Sequence, residues 1–165
     1  MGRAGSGCLN SFASEISGSL TLGIFRPKEI TKLVIKPCAA EWTTGQKAIL
    51  SQESFSFDAK PPRDKLEKIP FDFIYHFKCV DASCPGHKVS CTDWEMAQSY
   101  RRWRDEYGDE WESAFRQWYE REMMEKFDTH FYVGTMHLRP STWIIVGLFY
   151  PPKVKDRPQG DLFRN

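Results

Sequence analysis

The chain has 165 residues, a length that suits one domain with a sizeable core and is short for two. Its 23 basic and 22 acidic residues exclude a strong overall field toward nucleic acid or an anionic membrane, although not a local basic patch. Aromatic residues make up 15% of the chain, so we expect some of them to line a groove or a partner surface in addition to the core.

The compartment follows from apolar runs and cysteines. No apolar run approaches the length of a membrane span, and no charged and then apolar leader precedes a cleavage site. Three of the five cysteines fall in one short window, a pattern that favours metal binding in a reducing compartment over a disulfide scaffold. We therefore expect a soluble cytoplasmic protein with no membrane partner.

Residues 1–23 are rich in Gly and Ser and lack periodicity, so they are predicted to form a flexible tail. The sequence from Met1 to Ser6 matches a myristoylation signal, with Cys8 placed for a second lipid. The alternative is a disordered leader whose glycines match this permissive pattern by chance. The sequence leaves the two alternatives open.

The first predicted elements are short. The β-branched run 31–36 predicts a strand, and Thr43 is placed to begin a short helix that ends near Gln52. Residues 53–68 are polar and contain two prolines, which indicates an exposed connection. The inward-facing residues of the short helix are expected to be Ala48, Ile49 and Leu50.

The clearest strand covers residues 69–79. Apolar residues, most of them aromatic, alternate with a set made mainly of polar residues, and this period of two predicts a half-buried strand. The residues predicted to face the core are Ile69, Phe71, Phe73, Tyr75, Phe77 and Cys79. The strand therefore delivers Cys79 on its buried face.

A cluster of metal-ligand residues follows at once. Cys79, Cys84, His87 and Cys91 have the spacing C-x4-C-x2-H-x3-C, and proteins bind Zn²⁺ through tetrahedra of such thiolates and imidazoles. Pro85-Gly86 supplies a tight turn in which the glycine can adopt positive φ. The four residues are predicted to hold one structural Zn²⁺ ion.

The same window is expected to form a corner between a strand and a helix. Cys91 precedes Thr92-x-x-Glu95, which has the capping-box pattern of a helix start. Cys91 is the least certain ligand, since Asp93 or a water molecule is an alternative fourth ligand. A water would indicate a catalytic metal, whereas four protein ligands indicate a structural one. We favour the structural site with four protein ligands over a catalytic site with a water ligand. We also favour it over the simpler alternative, in which the cysteines are buried core residues and the histidine is unrelated to them.

Two helices are predicted after the cluster, over residues 93–107 and 109–127, with one helix kinked at Gly108 as the alternative. Residues 129–137 and 143–150 predict two strands of a β-hairpin. Together these elements predict one α+β domain over residues 24–152 and a flexible tail over 153–165. The domain is expected to have a mostly antiparallel sheet of about four strands, two inserted helices and a zinc-stabilised strand–helix corner.

Two further sets of residues are candidates for function. Asp72, His76 and Lys78 share the polar face of their strand and loosely resemble a metal-dependent nuclease site, although a solvated sheet face is the simpler interpretation. Arginines next to aromatic residues are typical of contacts to nucleic acid, but acidic residues crowd the same helices. The candidate nucleic-acid contacts are Arg101, Arg102, Trp103, Arg104 and Arg139.

The leading hypothesis is a small zinc-binding, non-enzymatic module that binds nucleic acid. It depends on analogy with other compact zinc domains. One alternative is a metal-dependent nuclease or hydrolase that uses Asp72, His76 and Lys78 or an open zinc. Another is a protein-interaction subunit that docks through its aromatic residues. The sequence leaves open whether the protein is an enzyme.

Overall fold

A computed structural model describes residues 21–50, 67–136 and 139–153. Within these residues the fold is α+β, with six strands in one sheet. The strands are β1 (Leu22–Phe25), β2 (Glu29–Pro37), β3 (Phe71–Lys78), β4 (His87–Cys91), β5 (His130–Met136) and β6 (Arg139–Phe149). The helical elements are α1 (Thr44–Leu50), α2 (Trp94–Tyr107), a 3₁₀ turn (Gly108–Glu110), α3 (Trp111–Arg116), a π-helical turn (Gln117–Glu122) and α4 (Met123–Lys126).

The sheet is mixed and larger than predicted. Its strand order is β1-β5-β6-β4-β3-β2, and every pairing is antiparallel except that of β4 with β6, which are parallel. All four predicted strands are present as β2, β3, β5 and β6, and the last two form the predicted hairpin. The expectation of about four antiparallel strands missed β1 and β4, because these are only four and five residues long.

The two edge strands reveal that the sheet is curled. Only residues 26–28 join β1 to β2, although these strands lie at opposite ends of the sheet. Such a connection spans at most about 14 Å, whereas the edges of a flat six-stranded sheet would be about 24 Å apart. Across the resulting concave face, the ring of Phe25 on β1 lies 5.3 Å from that of Phe77 on β3.

The helical segments that follow β4 pack into this concave face. The alternation predicted for β3 is confirmed, since Phe73, Tyr75 and Phe77 are buried. Phe73 stacks on Phe115 of α3 with ring centroids 5.0 Å apart, and the Tyr75 hydroxyl donates to the carbonyl of Tyr119 at 3.2 Å. The aromatic face of β3 therefore forms the floor on which the helical segments lie.

Helix α2 begins one residue later than the capping-box pattern indicates. Asp93 is the N-cap, and its Oδ1 accepts from the backbone N–H of Met96 at 2.8 Å. The predicted cap, Thr92, instead donates its hydroxyl to the carbonyl of Ile145. At Gly108 the backbone takes positive φ, so two helical segments are present rather than one kinked helix.

The second helical segment owes its π-helical turn to the spacing of its core residues. Trp111, Phe115, Tyr119 and Met123 are all buried and recur every four residues. In a regular α-helix with 3.6 residues per turn, such a stripe would drift by about 40° at each step. A π-helical turn has more residues per turn, so it keeps Tyr119 and Met123 in line with the core.

Three expectations about the ends and connections are revised or remain open. Helix α1 has no buried residue, so the inward placement of Ala48, Ile49 and Leu50 is wrong. Strand β1 starts at Leu22, two residues before the predicted start of the domain. The myristoylation pattern, most of the 53–68 connection and nearly all of the two predicted tails lie outside the described residues.

Candidate metal centre

Three of the four predicted metal ligands converge at one end of the β3–β4 hairpin. The ligand atoms of Cys79, Cys84 and His87 all lie within 4.8 Å of one another. His87 Nε2 is 3.0 Å from Cys79 Sγ and 3.3 Å from Cys84 Sγ. A tetrahedral zinc ion with Zn–S near 2.3 Å and Zn–N near 2.0 Å separates its ligand atoms by roughly 3.5–3.8 Å. The two observed sulfur–nitrogen distances are slightly shorter than this, and the group is compact enough for its three residues to contact one metal ion.

The hairpin loop returns Cys84 to Cys79. Asp81 Oδ1 accepts from the backbone N–H of Ser83 at 2.8 Å and from its hydroxyl at 2.7 Å, and Cys84 N–H donates to the carbonyl of Asp81. This Asx turn reverses the chain. The N–H of Cys79 then donates to Cys84 Sγ at 3.4 Å, so the two cysteines are held together by the backbone as well.

Gly86 completes the loop. Its φ of 91° lies in the left-handed region, where a residue with a Cβ is strained. The predicted positive φ of Gly86 is confirmed, whereas the turn itself lies earlier, at Ala82-Ser83. Gly86 leads directly into β4, which places His87 on the buried face.

The centre is largely shielded from solvent. Cys79 is 1% exposed and His87 is 8% exposed, while Cys84 is partly buried. The ring of Phe77 lies 5.3 Å from the imidazole of His87. Burial lowers the pKa of His87, which favours the neutral imidazole that binds metals. The surroundings thus favour a neutral imidazole over a charged one.

Cys91 does not belong to this group. It lies four residues after His87 on the same strand, and that spacing separates the two Cα atoms by about 13 Å. Its Sγ contacts Met96 Sδ at 3.5 Å in the core, and burial raises the pKa of its thiol. The expected four-ligand set is therefore corrected to three described ligands. The expected strand–helix corner becomes a strand–strand hairpin, because β4 separates the cluster from α2.

The alternative fourth ligand, Asp93, is also committed elsewhere. Its Oδ1 caps α2, and its Oδ2 accepts from the backbone N–H of Leu148 on β6 at 3.0 Å. It lies farther along the chain from His87 than Cys91 does. Within the described part of the chain, three residues of the predicted four-ligand set thus lie close together.

Two of the candidate nucleic-acid contacts are engaged within the protein. Arg101 donates to the backbone carbonyl of Glu67 at 2.6 Å, and Arg104 forms a 2.7 Å ion pair with the carboxylate of Glu67. Arg104 also pairs with Asp105 at 3.0 Å. These guanidinium groups are therefore partly neutralised by a residue that sequence reasoning placed in a connection.

The remaining members of that set have different surroundings. Arg102 is exposed and lies over the ring of Trp103, 5.6 Å from its centroid. Trp103 is partly buried against Phe115 and Tyr119. Arg139 is exposed at the start of β6. The predicted set thus does not form one continuous cationic surface.

A cleft of about 570 Å³ opens beside this part of α2. The Tyr119 hydroxyl is 2.8 Å from Ser99 Oγ, and the Tyr150 hydroxyl donates to Glu95 at 2.8 Å. Burial raises the pKa of Tyr150 to about 12, with a smaller contribution from this bond to Glu95. The residues that line the cleft include Trp94, Trp103, Trp118, Tyr119, Tyr150 and Arg102. Sequence reasoning missed the cleft because its aromatic residues come from three separated segments.

Asp72, His76 and Lys78 lie on the outer face of β3, as their alternation with buried residues predicts. Asp72 and His76 are four residues apart on one strand, so their Cα atoms are about 13 Å apart and they do not form one metal site. Lys78 lies 3.8 Å from Glu29 in an ion pair. Among the described residues, Cys79, Cys84 and His87 form the one detected cluster of three or more potential metal ligands.

The comparisons with known proteins give a family and no activity. In the described part of the chain, no helix has the length and apolar character needed to cross a membrane. The chain matches no curated protein and no solved structure. Residues 7–165 match the model of one family, which is nearly the whole chain. The chain therefore belongs to the family described as Domain of unknown function (DUF8757).

Proposed function

We propose that Cys79, Cys84 and His87 bind a structural Zn²⁺ ion in a non-enzymatic binding module. The observation that carries this proposal is the convergence of the three ligand atoms within 4.8 Å on a buried hairpin end. Two thiolates and an imidazole are the ligands that zinc prefers, while Mg²⁺ and Ca²⁺ prefer oxygen. The donor set therefore fits zinc.

A structural role fits the surroundings better than a catalytic one. Cys79 and His87 are almost fully buried, so a substrate would have little access to an ion between them. The aromatic cleft is lined by α2, the π-helical turn and Tyr150, and none of the three metal-binding residues lines it. The nuclease alternative loses support because Asp72 and His76 cannot share an ion.

The ion would hold β3 and β4 together at the hairpin loop that connects them. Binding of structural zinc by small domains contributes on the order of 10 kcal/mol, as much as the whole net stability of a typical domain. Since β4 is one of the two central strands of the sheet and β3 is its neighbour, loss of the ion is expected to destabilise the fold and not only the loop.

Metal analysis of the purified full chain tests this proposal. We expect one zinc per chain in the wild type and in Cys38→Ser, a cysteine outside the group, and a loss of most of the metal in Cys84→Ser. Cobalt substitution adds a second readout, because thiolate-bound Co²⁺ has strong charge-transfer absorption. Equal metal content in Cys84→Ser and Cys38→Ser would overturn the proposal.

Nucleic acid is the proposed ligand of the module. Arg101 and Arg104 support this less than the sequence suggested, because both are engaged by Glu67. Exposed lysines on the sheet provide an alternative source of positive charge. The protein-docking alternative has its own specific support, since Trp94 is 58% exposed at the rim of the aromatic cleft. Affinity for an oligonucleotide that falls steeply with salt separates the two.

A further inference from the structure

We propose that the outer face of β2, β3 and β4 binds the phosphate backbone of nucleic acid through Lys32, His76 and Lys88. This inference rests on the proposed ligand class and assigns it a surface that differs from the arginines of α2. It concerns residues from three strands, of which sequence reasoning considered only His76. The surface is here named the lysine row.

The lysine row follows from strand register. Lys32 on β2 is the direct partner of His76 on β3, and His76 is the direct partner of Lys88 on β4. Paired residues on neighbouring strands project from the same side of the sheet. Since Tyr75 and Phe77 point into the core, the row lies on the opposite, outer face. Its ends are separated by two strand spacings, about 10 Å.

The row concentrates positive charge that the protein does not neutralise. Among the described residues, neither Lys32 nor Lys88 has a carboxylate within ion-pair distance. On the same face, Lys78 is paired with Glu29, and Lys36 is opposite Asp72. Lys32 and Lys88 each pair with His76 and lie about 10 Å from one another. A bound polyanion would therefore interact favourably with both ammonium groups.

His76 reports on the row. Burial and the nearby charges of Lys88 and Lys32 lower its pKa, because a protonated imidazole would lie between two ammonium groups. The backbone carbonyl of His76 accepts from the Thr31 hydroxyl. The other charged groups on this face of the three strands are Lys78, Asp72, Glu29 and Lys36. A phosphate at the row would stabilise the protonated imidazole, so nucleic-acid binding and protonation of His76 should strengthen each other.

The charge distribution elsewhere favours this face over the helices. Exposed acidic residues are concentrated where α2 meets the second helical segment, which packs on the inner face of the sheet. These residues are Asp105, Glu106, Asp109, Glu110 and Glu112. The net charge of +1 therefore conceals an uneven distribution in which the outer sheet face is the basic side.

A nucleic acid fits this face better than a lipid surface. Membrane-binding faces commonly insert aromatic or large apolar side chains between lipids. None of the exposed large apolar side chains in the described residues lies on β2, β3 or β4. The face instead offers a line of cations with the uncharged side chains of Val34, Ile74 and Ser90 beside it. Phosphate contacts of this kind carry affinity rather than sequence preference.

The test is fluorescence anisotropy of the zinc-loaded full chain with a labelled single strand of about 20 nucleotides at about 50–200 mM salt. The test variant is Lys32→Gln/Lys88→Gln. The control is Lys47→Gln on α1, whose lysine is paired with Glu41. A third variant, Arg102→Gln/Trp94→Ala, changes α2. We expect the double lysine variant to bind at least about tenfold more weakly. The slope of log K against log[salt] should become shallower by about two, because two phosphate contacts are lost. Binding by Lys47→Gln should be unchanged.

An NMR titration of His76 supplies the second readout. We expect the bound oligonucleotide to raise the pKa of His76. The affinity for the oligonucleotide should correspondingly increase as the pH falls through the pKa of His76. If wild-type binding is lost only in Arg102→Gln/Trp94→Ala, the lysine row is overturned and nucleic-acid binding stands. If the wild type binds no strand at low salt, both the row and the proposed ligand fail. Binding to phosphatidylserine vesicles without binding to the strand would also overturn the row.

Discussion

Asp93 connects the start of α2 to β6 through both of its carboxylate oxygens. Oδ1 accepts from the N–H of Met96 at 2.8 Å, and Oδ2 accepts from the N–H of Leu148 at 3.0 Å. The side chain is buried, so both bonds are shielded from water. Together with the bonds of Thr92 to Ile145, this residue therefore positions the helix on the sheet.

The first prediction concerns this link. Asp93→Ala should lower the free energy of unfolding by about 2–4 kcal/mol, because it removes a helix cap and leaves the partly buried N–H of Leu148 without this acceptor. Asp93→Asn keeps one acceptor oxygen and should lose less. Denaturant unfolding of the zinc-loaded protein measures both. A loss below about 0.5 kcal/mol in Asp93→Ala, the range of ordinary surface substitutions, would contradict this role.

The second prediction concerns Cys91. Because its thiol is buried in contact with Met96 and outside the metal group, Cys91→Ala should keep one zinc per chain and lose on the order of 1–2 kcal/mol of stability. Metal analysis and denaturant unfolding of the same sample check this. Loss of the zinc from a folded Cys91→Ala protein would restore Cys91 as a ligand.

The third prediction concerns the fourth zinc ligand. A closed structural site requires a fourth protein donor. If that donor is a sulfur atom, substitution of the cysteines outside the group identifies it. Cys8, which lies outside the described residues, is tested by Cys8→Ser with Cys38→Ser as its control. If Cys8 is a ligand, the thiolate-to-cobalt absorption should fall by about one third in Cys8→Ser. An unchanged spectrum in both variants would leave a nitrogen or oxygen donor in the fourth position.

The fourth prediction concerns alkaline pH. The pKa of Tyr150 is raised to about 12 by burial and by the bond to Glu95, above its ordinary value near 10. The stability contributed by the protonated phenol is present below pH 10 and is lost as the pH rises toward 12. Tyr150→Phe should therefore lose less stability than the wild type over this interval. Thermal unfolding at a series of pH values measures this. An equal fall in Tm for the two proteins between pH 10 and 12 would contradict the assignment.

How far the sequence predicts this fold is clear from β3 and β4. The alternation over residues 69–79 identifies β3 and its buried face, because a period of two is a strong local signal. Strand β4 has the sequence His-Lys-Val-Ser-Cys, and two of its five residues were assigned to the metal instead. The spacing of Cys91 suggested a ligand only while the intervening residues were assumed to form a loop.

The contacts that define the other sites are long-range and leave no local signal. Glu67 lies 34 residues before Arg101, so the engagement of that arginine depends on tertiary packing. The lysine row likewise depends on register, since Lys32 and Lys88 become neighbours of His76 only when three strands pair. The convergence of Cys79, Cys84 and His87 could be predicted from the sequence, because all three lie at one hairpin end, where short-range geometry dominates.

X-ray absorption at the zinc edge of the purified full chain tests the central claim most directly. The account predicts one zinc per chain with at least two sulfur ligands near 2.3 Å and at least one nitrogen ligand near 2.0 Å. The sulfur contribution should decrease in Cys84→Ser and remain in Cys38→Ser. A shell of oxygen and nitrogen ligands without sulfur, or a folded chain that contains no metal, would contradict the account.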